Sequence, residues 1–447
     1  MLASLGLRDP WLVALLCVGL LLRIATALVV DPDMRLRGDE RNYLRQAAAL
    51  RDAGSLETGA FVRPPAYFVL LAGIAWISEL LDARFGFCVR LVQGLAGAAA
   101  AIPVYRSARR LGGTRVARLA AGFLLLDPTL IAFAHLIWPE TFFLLLVASV
   151  FDGISGIEKR SAGAVAGLGA GTGLALLMKP VFGIFTLLLA AHWLRRLGWR
   201  RALRLTLVFG GTAAVVVAPW VARNQLRYGP TVVLDNQGSY NLWIGNDPAP
   251  PGLILKEWKA LPDPVTRSRV ATERGLAAIA GDPRAFAANS AVRALNLWGL
   301  EFFVVRHAVI GGYADVSRDV LLKAFWGIQA AWILAFVCAA LGLRRTLSDP
   351  TLRLLVAYAA VFTVAIAALV TTTRFRVPFA LPLAVASAAG LDLALSRRLR
   401  RADLVAAAFA LGVLAFSFTR PLFWKIASGD FSHLTELALG PWRFFRY

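Results

Sequence analysis

The sequence predicts an all-α, polytopic membrane protein, and three features lead there. The chain of 447 residues is 58% hydrophobic and only 17% charged, with a mean hydropathy of +0.64. A soluble domain could not hide that much apolar surface. Runs such as Trp11–Val30, Ala117–Ala134 and Leu354–Val370 have the roughly 17–20 residues that cross a bilayer as helix. Finally, Lys and Arg outnumber Asp and Glu by 48 to 27, a net charge of +21. The excess gathers in short basic loops between the apolar runs, as cytoplasmic loops do. A share of it suits anionic lipid phosphates, and nothing in the pattern points to nucleic acid.

The elements follow in order. The first run continues to Val30, beyond the A-x-A triplet Ala25–Ala27, so it reads as a retained helix rather than a cleaved signal. Basic clusters at Arg106–Arg118, Lys159–Arg160, Arg195–Arg204, Arg344–Arg345 and Arg397–Arg401 orient the rest as cytoplasmic loops. Between them fall paired spans near 117–134 and 140–156, 162–178 and 181–194, 204–220 and 321–343, and 352–371 and 377–395. A last span covers 403–419. Of two apolar segments before Arg106, residues 88–105 cross. Pro65–Leu81 opens with Arg-Pro-Pro and carries Glu79 near its far end, and suits a helix lying in the outer interface. About eleven spans result. Cys17, Cys88 and Cys338 lie in or beside apolar segments without ligand spacing.

With this orientation, Asp39, Glu40, Arg63, His135, Glu140, Lys179, the segment 221–320, Arg374 and Arg376 share the extracytoplasmic face. Arginines there run against the usual charge bias and need another cause. Asp39 and Glu40 open an amphipathic stretch in which Tyr43, Ala47 and Leu50 form one stripe. An acid at a helix start is stabilised by the helix dipole, but a surface carboxylate is also what takes a proton from a hydroxyl. Glu140 follows Pro139 at the top of a returning span, where a carboxylate is costly unless solvated, paired or functional. Arg63, Lys179, Arg374 and Arg376 are cations of the kind that hold phosphate, Arg through its bidentate fork; snorkelling to headgroups is the competing use. In the segment from Pro219, turn-forming Gly, Asn, Asp and Pro surround Arg223, Asn224, Tyr240, Trp243 and Asn246, groups that can stack on or hydrogen-bond a polar ring. Tyr43 and His135 complete the candidate ligand-binding residues.

In chain order, "GDERNY", "RPPAY", the "PE" after the third span, "MKP", "APWVARNQLRYG…SYNLWIGNDPAPPG" and "RFRVPFALP" resemble bacterial members of the dolichyl-phosphate-mannose–protein mannosyltransferase-like superfamily, related to the lipid A aminoarabinose transferases. The resemblance implies a GT-C-type helical bundle with interfacial helices in the first outer loop. It also implies a glycosyltransferase that moves a sugar from a polyprenyl-phosphate-linked donor at the outer face, commonly with inversion. The family's acidic catalytic positions fall on Asp39, with Glu40 beside it, and on Glu140. Its phosphate-facing cations fall on Arg63, Lys179, Arg374 and Arg376.

The expected organisation is an N-terminal transmembrane module, 1–220, with a catalytic first outer loop, 31–87. An extracytoplasmic unit, 221–320, the helices of 321–420 and an outer tail, 421–447, follow. The partners are a lipid-linked sugar, membrane lipids and an acceptor that the sequence does not name. Asp39, Glu40 and Glu140 can hold Mg2+ or Mn2+ through oxygens, and two arginines can stand in for the ion. The expected setting is a bacterial inner membrane. The competing function is a transporter or flippase of a lipid-linked saccharide. Such proteins tend to show internal repeats and mid-membrane charges, whereas here the charges crowd one face. A glycan polymerase or ligase shares the donor logic.

Overall fold

A computed structural model describes residues 7–29, 39–56, 61–307, 317–419, 423–424 and 427–428. Gly38 and nearly all of the expected outer tail lie outside these. The described residues form helices and connecting turns, without a strand. In chain order the helices are α1 (Pro10–Val29), α2 (Asp39–Ala53), α3 (Ala66–Leu80), α4 (Phe85–Ala99), α5 (Ala101–Leu125), α6 (Pro128–Phe133), α7 (Glu140–Gly153), α8 (Ala162–Leu176), α9 (Gly183–Leu197) and α10 (Trp199–Tyr228). The segment after α10 folds as α11 (Gln237–Asn246), α12 (Pro251–Ala260), α13 (Pro264–Gly281), α14 (Pro283–Trp298) and α15 (Phe303–His307). Then come α16 (Arg318–Thr346), α17 (Pro350–Ala367), α18 (Ala380–Leu395) and α19 (Arg401–Phe418).

Local chemistry sets many of these starts. Asp-Pro pairs open α6, α13, α14 and α17: the Asp side chain accepts first-turn N–H groups and the Pro occupies the first helical position, where its missing donor costs nothing. Gly112 and Gly113 leave helical geometry and divide α5, Gly113 at φ 76°.

Seven helical stretches among the described residues are long and apolar enough to span a bilayer. One of them, Phe85–Leu125, holds the bend at Gly112–Gly113. Helices α7, α8 and α9 have 14 or 15 residues, about 21–23 Å of rise, short of a full hydrocarbon core. The expected spans overlie these helices only in part: 88–105 runs from α4 into α5, α5 ends at Leu125 within the expected span 117–134, whose remainder holds the six-residue α6, and α10 runs eight residues past the expected end at 220.

The basic clusters meet at one end of the bundle. Arg106 and Arg110 pair with Asp152 at 3.1 and 2.7 Å, Arg115 and Arg345 share Asp392 at 3.3 and 2.8 Å, Arg344 pairs with Asp403 at 2.9 Å, and Arg118 with Asp9 at 2.9 Å. Loops far apart in sequence thus share one face.

Candidate active site at the acidic end of helix α2

Five short elements converge at the other end. Asp39 and Glu40 occupy the first turn of α2, where the helix dipole favours anions. The stripe Tyr43, Ala47 and Leu50 packs on Tyr67, Phe68 and Leu71 of α3, as the spacing predicts, and Arg51 reaches Glu79 at 2.5 Å. Arg63 sits on the strap leading into α3. That strap is anchored by Ala66 N–H to Leu177 O at 3.0 Å and by Val62 N–H to Asn236 Oδ1 at 2.9 Å. Glu140 opens α7, Lys179 lies between α8 and α9, and Arg374 lies in the 3-10 turn Thr373–Phe379 before α18.

Ion pairs join them. Arg63 Nη2 donates to Asp39 Oδ1 at 2.7 Å, and Arg374 Nη1 to Asp39 Oδ2 at 3.2 Å. Lys179 Nζ donates to Glu140 Oε1 at 2.6 Å, and Arg374 Nε lies 4.0 Å from that same oxygen. Arg374 therefore bridges the two acids. Its guanidinium lies 4.3 Å from the centre of the Trp138 ring, and that of Arg63 lies 5.0 Å from the Tyr43 ring, both cation–π distances.

Burial would raise the Asp39 carboxyl, but Arg63 and Arg374 outweigh it and hold the group well below the ordinary carboxylate range. Burial likewise pulls on Arg63, which Asp39 nonetheless pushes up. Lys179 goes the other way: burial lowers it, and Glu140 only partly compensates. Two carboxylates face three cations, so the cluster carries a positive excess. Arg306 lies close enough to Arg374 to feel its charge. Four buried polar atoms here, Glu140 Oε2, Arg63 Nε, Arg374 Nε and Trp138 Nε1, have no hydrogen-bond partner among the described residues. Such atoms take water or a polar ligand as their partner.

A divalent cation would find two carboxylates. Both Asp39 oxygens already face guanidiniums, leaving Glu140 Oε2 as the open acceptor. Among the described residues no three His, Cys, Asp or Glu gather for a metal. The donor set thus supplies few of the oxygens that Mg2+ or Mn2+ takes, and the charge a phosphate needs is already present in the three cations.

The other expected residues lie elsewhere. Arg376 turns away from Asp39: it pairs with Glu301, donates to Gly299 O at 2.7 Å, and stacks on Trp332 with its guanidinium 3.6 Å from the ring centre. Glu40 is buried and accepts from Ile137 N–H at 3.2 Å. His135 is buried with Nε2 3.0 Å from Arg23 O. Arg223 donates to Leu56 O at 3.0 Å, and Asn224 to Val233 O at 3.0 Å. Trp243 donates to Asp247 at 2.8 Å, and Asn246 to Ala368 O at 3.0 Å. Tyr240 reaches the site indirectly, edge-on to Phe61 at 5.1 Å, which in turn lies 5.7 Å from Arg63. Four residues near the site or its rim escaped sequence reasoning: Trp138, Asp235, Glu301 and Arg306. Glu301, an acid within an apolar stretch, was the one with a readable signal.

The dolichyl-phosphate-mannose-protein mannosyltransferase family matches residues 62–222, which hold Arg63, Glu140 and Lys179. The fold is similar to the oligosaccharyltransferase of Archaeoglobus fulgidus in its apo form, at 13% identity, covering 99% of this chain and 56% of that one, with a TM-score of 0.51. It is equally similar to oligosaccharyltransferase AglB from the same organism, in complex with an inhibitory peptide and a dolichol-phosphate, at 14% identity, 98% and 56% coverage and a TM-score of 0.52. ArnT from Cupriavidus metallidurans bound to undecaprenyl phosphate aligns at 18% identity over 87% of this chain and 81% of that one, but with a TM-score of 0.43, too low to weigh. No curated protein matches the sequence. The chain spans just over half the length of the oligosaccharyltransferases, and identities this low speak for the fold alone. What these likenesses show is the fold, an all-helical bundle of the GT-C type.

Proposed function

We propose that the protein is an integral-membrane glycosyltransferase. It moves a sugar from a polyprenyl-phosphate-linked donor to an acceptor hydroxyl at the extracytoplasmic face, with inversion at the anomeric carbon. One observation supports this most: Asp39 and Glu140, about a hundred residues apart, meet in a single ion-pair cluster with Arg63, Lys179 and Arg374. The lipid tail keeps a polyprenyl donor in the bilayer, so its phosphate arrives at interface height, where guanidiniums can receive it.

In the reaction the acceptor oxygen forms a bond to the sugar C1 while the bond from C1 to the phosphate oxygen breaks. The electron pair leaves with the phosphate and the proton passes to Asp39. The phosphate needs charge stabilisation rather than protonation, and Arg374, Lys179 and Arg63 supply it. Held by two guanidiniums, Asp39 is a weak base. A bound phosphate competes for the same guanidiniums, loosens their grip and raises the proton affinity of Asp39 when the acceptor is in place. A divalent cation, where bound, would rest on Glu140 and Asp39 and add positive charge beside the phosphate; no step requires it.

The test is Asp39→Asn in purified protein given a radiolabelled polyprenyl-phosphate sugar and extracted envelope acceptors. Transfer should fall by about a hundred-fold or more, in the range of a lost general base. Undiminished transfer removes Asp39 from this role. Donor movement across proteoliposomes without any transfer would instead support the flippase reading.

A further inference from the structure

A polar cavity of about 90 Å³ lies at the end of the bundle opposite Asp39. Three helices connect the two ends. Helix α7 starts at Glu140 and ends at Gly153, α9 starts just after Lys179 and ends at Leu197, and α17 starts at Pro350 and ends shortly before Arg374. At 1.5 Å per residue these lengths separate cavity and site by roughly 20–27 Å. The cavity is walled by the turn Ile157–Lys159, the last turns of α9 and the first turn of α17. Its polar groups are Glu158, His192, Arg196 and Thr351.

The lining carries charges of both signs. His192 lies within electrostatic reach of Arg196, Arg353 and Glu158. The side chains of Glu158 and Arg196 make no hydrogen bond or ion pair among the described residues, although Arg201 holds the Glu158 backbone oxygen at 2.7 Å. Leu194 and Trp199, close in sequence to the lining residues Trp193 and Leu197, are 57% and 63% exposed. Apolar and indole surface next to a dense basic run marks the depth of lipid headgroups. The volume has room for several water-sized groups.

We infer that this cavity binds the headgroup of an aminophospholipid, its phosphate at Arg196 and the Thr351 hydroxyl and its primary ammonium at Glu158. A purely anionic headgroup would set its phosphate against the Glu158 carboxylate. A choline headgroup would bring no N–H for that carboxylate to accept. The cavity is independent of the proposed chemistry, so its failure would leave the glycosyltransferase reading untouched.

The test uses the delipidated full-length protein, titrated with phosphatidylethanolamine, phosphatidylglycerol or phosphatidylcholine, with bound lipid counted by native mass spectrometry. The wild type should retain phosphatidylethanolamine about five-fold better than either other lipid, the scale of one partly exposed charge pair. Glu158→Gln should erase that preference while phosphatidylglycerol binding holds or rises, and Arg196→Gln should weaken all three. Both side chains lie at the surface of the turn or helix end, and a matching elution profile and helical content confirm folding. An unchanged lipid ratio in Glu158→Gln overturns the proposal. So does inorganic phosphate displacing the lipid at equal concentration, which would mark a pocket for free phosphate.

Discussion

Asp39 and Glu40 are neighbours with different surroundings, and the contrast separates their roles. Asp39 pairs with Arg63 and Arg374 across the site, whereas Glu40 is buried and holds the Ile137 N–H. Gln93 grips the same loop through Ala134 O and Leu136 O at 3.0 and 2.9 Å. That loop carries Trp138, on which Arg374 rests, and leads into Glu140. Glu40 is therefore expected to position rather than react. Glu40→Gln, which keeps an acceptor oxygen, should retain transfer within about three-fold, while Glu40→Ala, leaving a buried donor unmet, should lose about ten-fold and cost about 1–3 kcal/mol of stability. Equal loss in Glu40→Gln and Asp39→Asn would make both acids chemical. Asp235 offers a second check at this scale, because burial pushes its carboxyl up to about 6. A carboxyl that holds its proton more tightly when folded adds stability below its unfolded value, and that stability is lost as pH rises through the folded value. Asp235→Asn should therefore flatten the change in thermal unfolding midpoint between about pH 4 and pH 6. Asp39, shifted the opposite way, adds stability above its unfolded value that is lost in acid, and this acid limb should survive in the variant.

At the scale of elements, period and length were legible and contact was not. The stripe Tyr43, Ala47 and Leu50 and the spans between basic loops could be read because burial imposes a regular pattern. The stretch "SYNLWIGNDPAPPG" reads as turns, yet Gln237–Asn246 is helix α11. Its Gly245 is a contact point: a Cβ there would lie 2.0 Å from Leu369 O. Local composition does not distinguish a glycine needed for a turn from one needed for a close neighbour. The same misreading threatens any small residue in a span. Helices α16 and α18 touch through Gly342 and Gly390, where added Cβ atoms would fall 2.0 Å from Ala386 O and 1.9 Å from Cys338 O. Close backbone approach through small residues is a main source of helix association in lipid. Gly390→Leu should lower the unfolding midpoint in detergent, at a cost of about 1–3 kcal/mol from overpacking. Gly327→Ala, with open space around its Cβ, should be neutral or slightly stabilising. Equal behaviour of the two variants would show that α16 and α18 do not pack this closely.

For the whole molecule, the distribution of charge does two jobs that the sequence only partly separates. Basic loops meet Asp9, Asp152, Asp392 and Asp403 at one end, and Arg63, Lys179 and Arg374 meet Asp39 and Glu140 at the other. Counting charges places the acids and all four expected phosphate-binding cations on one face, and the structure brings Arg63, Lys179 and Arg374, but not Arg376, to Asp39 and Glu140. The count could not tell that Arg376, two residues from Arg374, pairs with Glu301, because the 3-10 turn that points them apart is set by packing rather than composition. The orientation itself rests on α3 lying in the outer interface. If α3 crossed the bilayer, Leu81 at its end would emerge among the basic loops, and the first outer loop would lose the strap that carries Arg63. In a background free of native cysteines, Leu81→Cys and Leu253→Cys should both react with a membrane-impermeant maleimide in intact cells. Arg200→Cys should react only after permeabilisation. If Leu81→Cys is shielded along with Arg200→Cys while Leu253→Cys reacts, α3 is a span. Asp39 and Glu140 would still share their cations, but the inside and outside assignment of every helix before Arg106 would have to be redrawn.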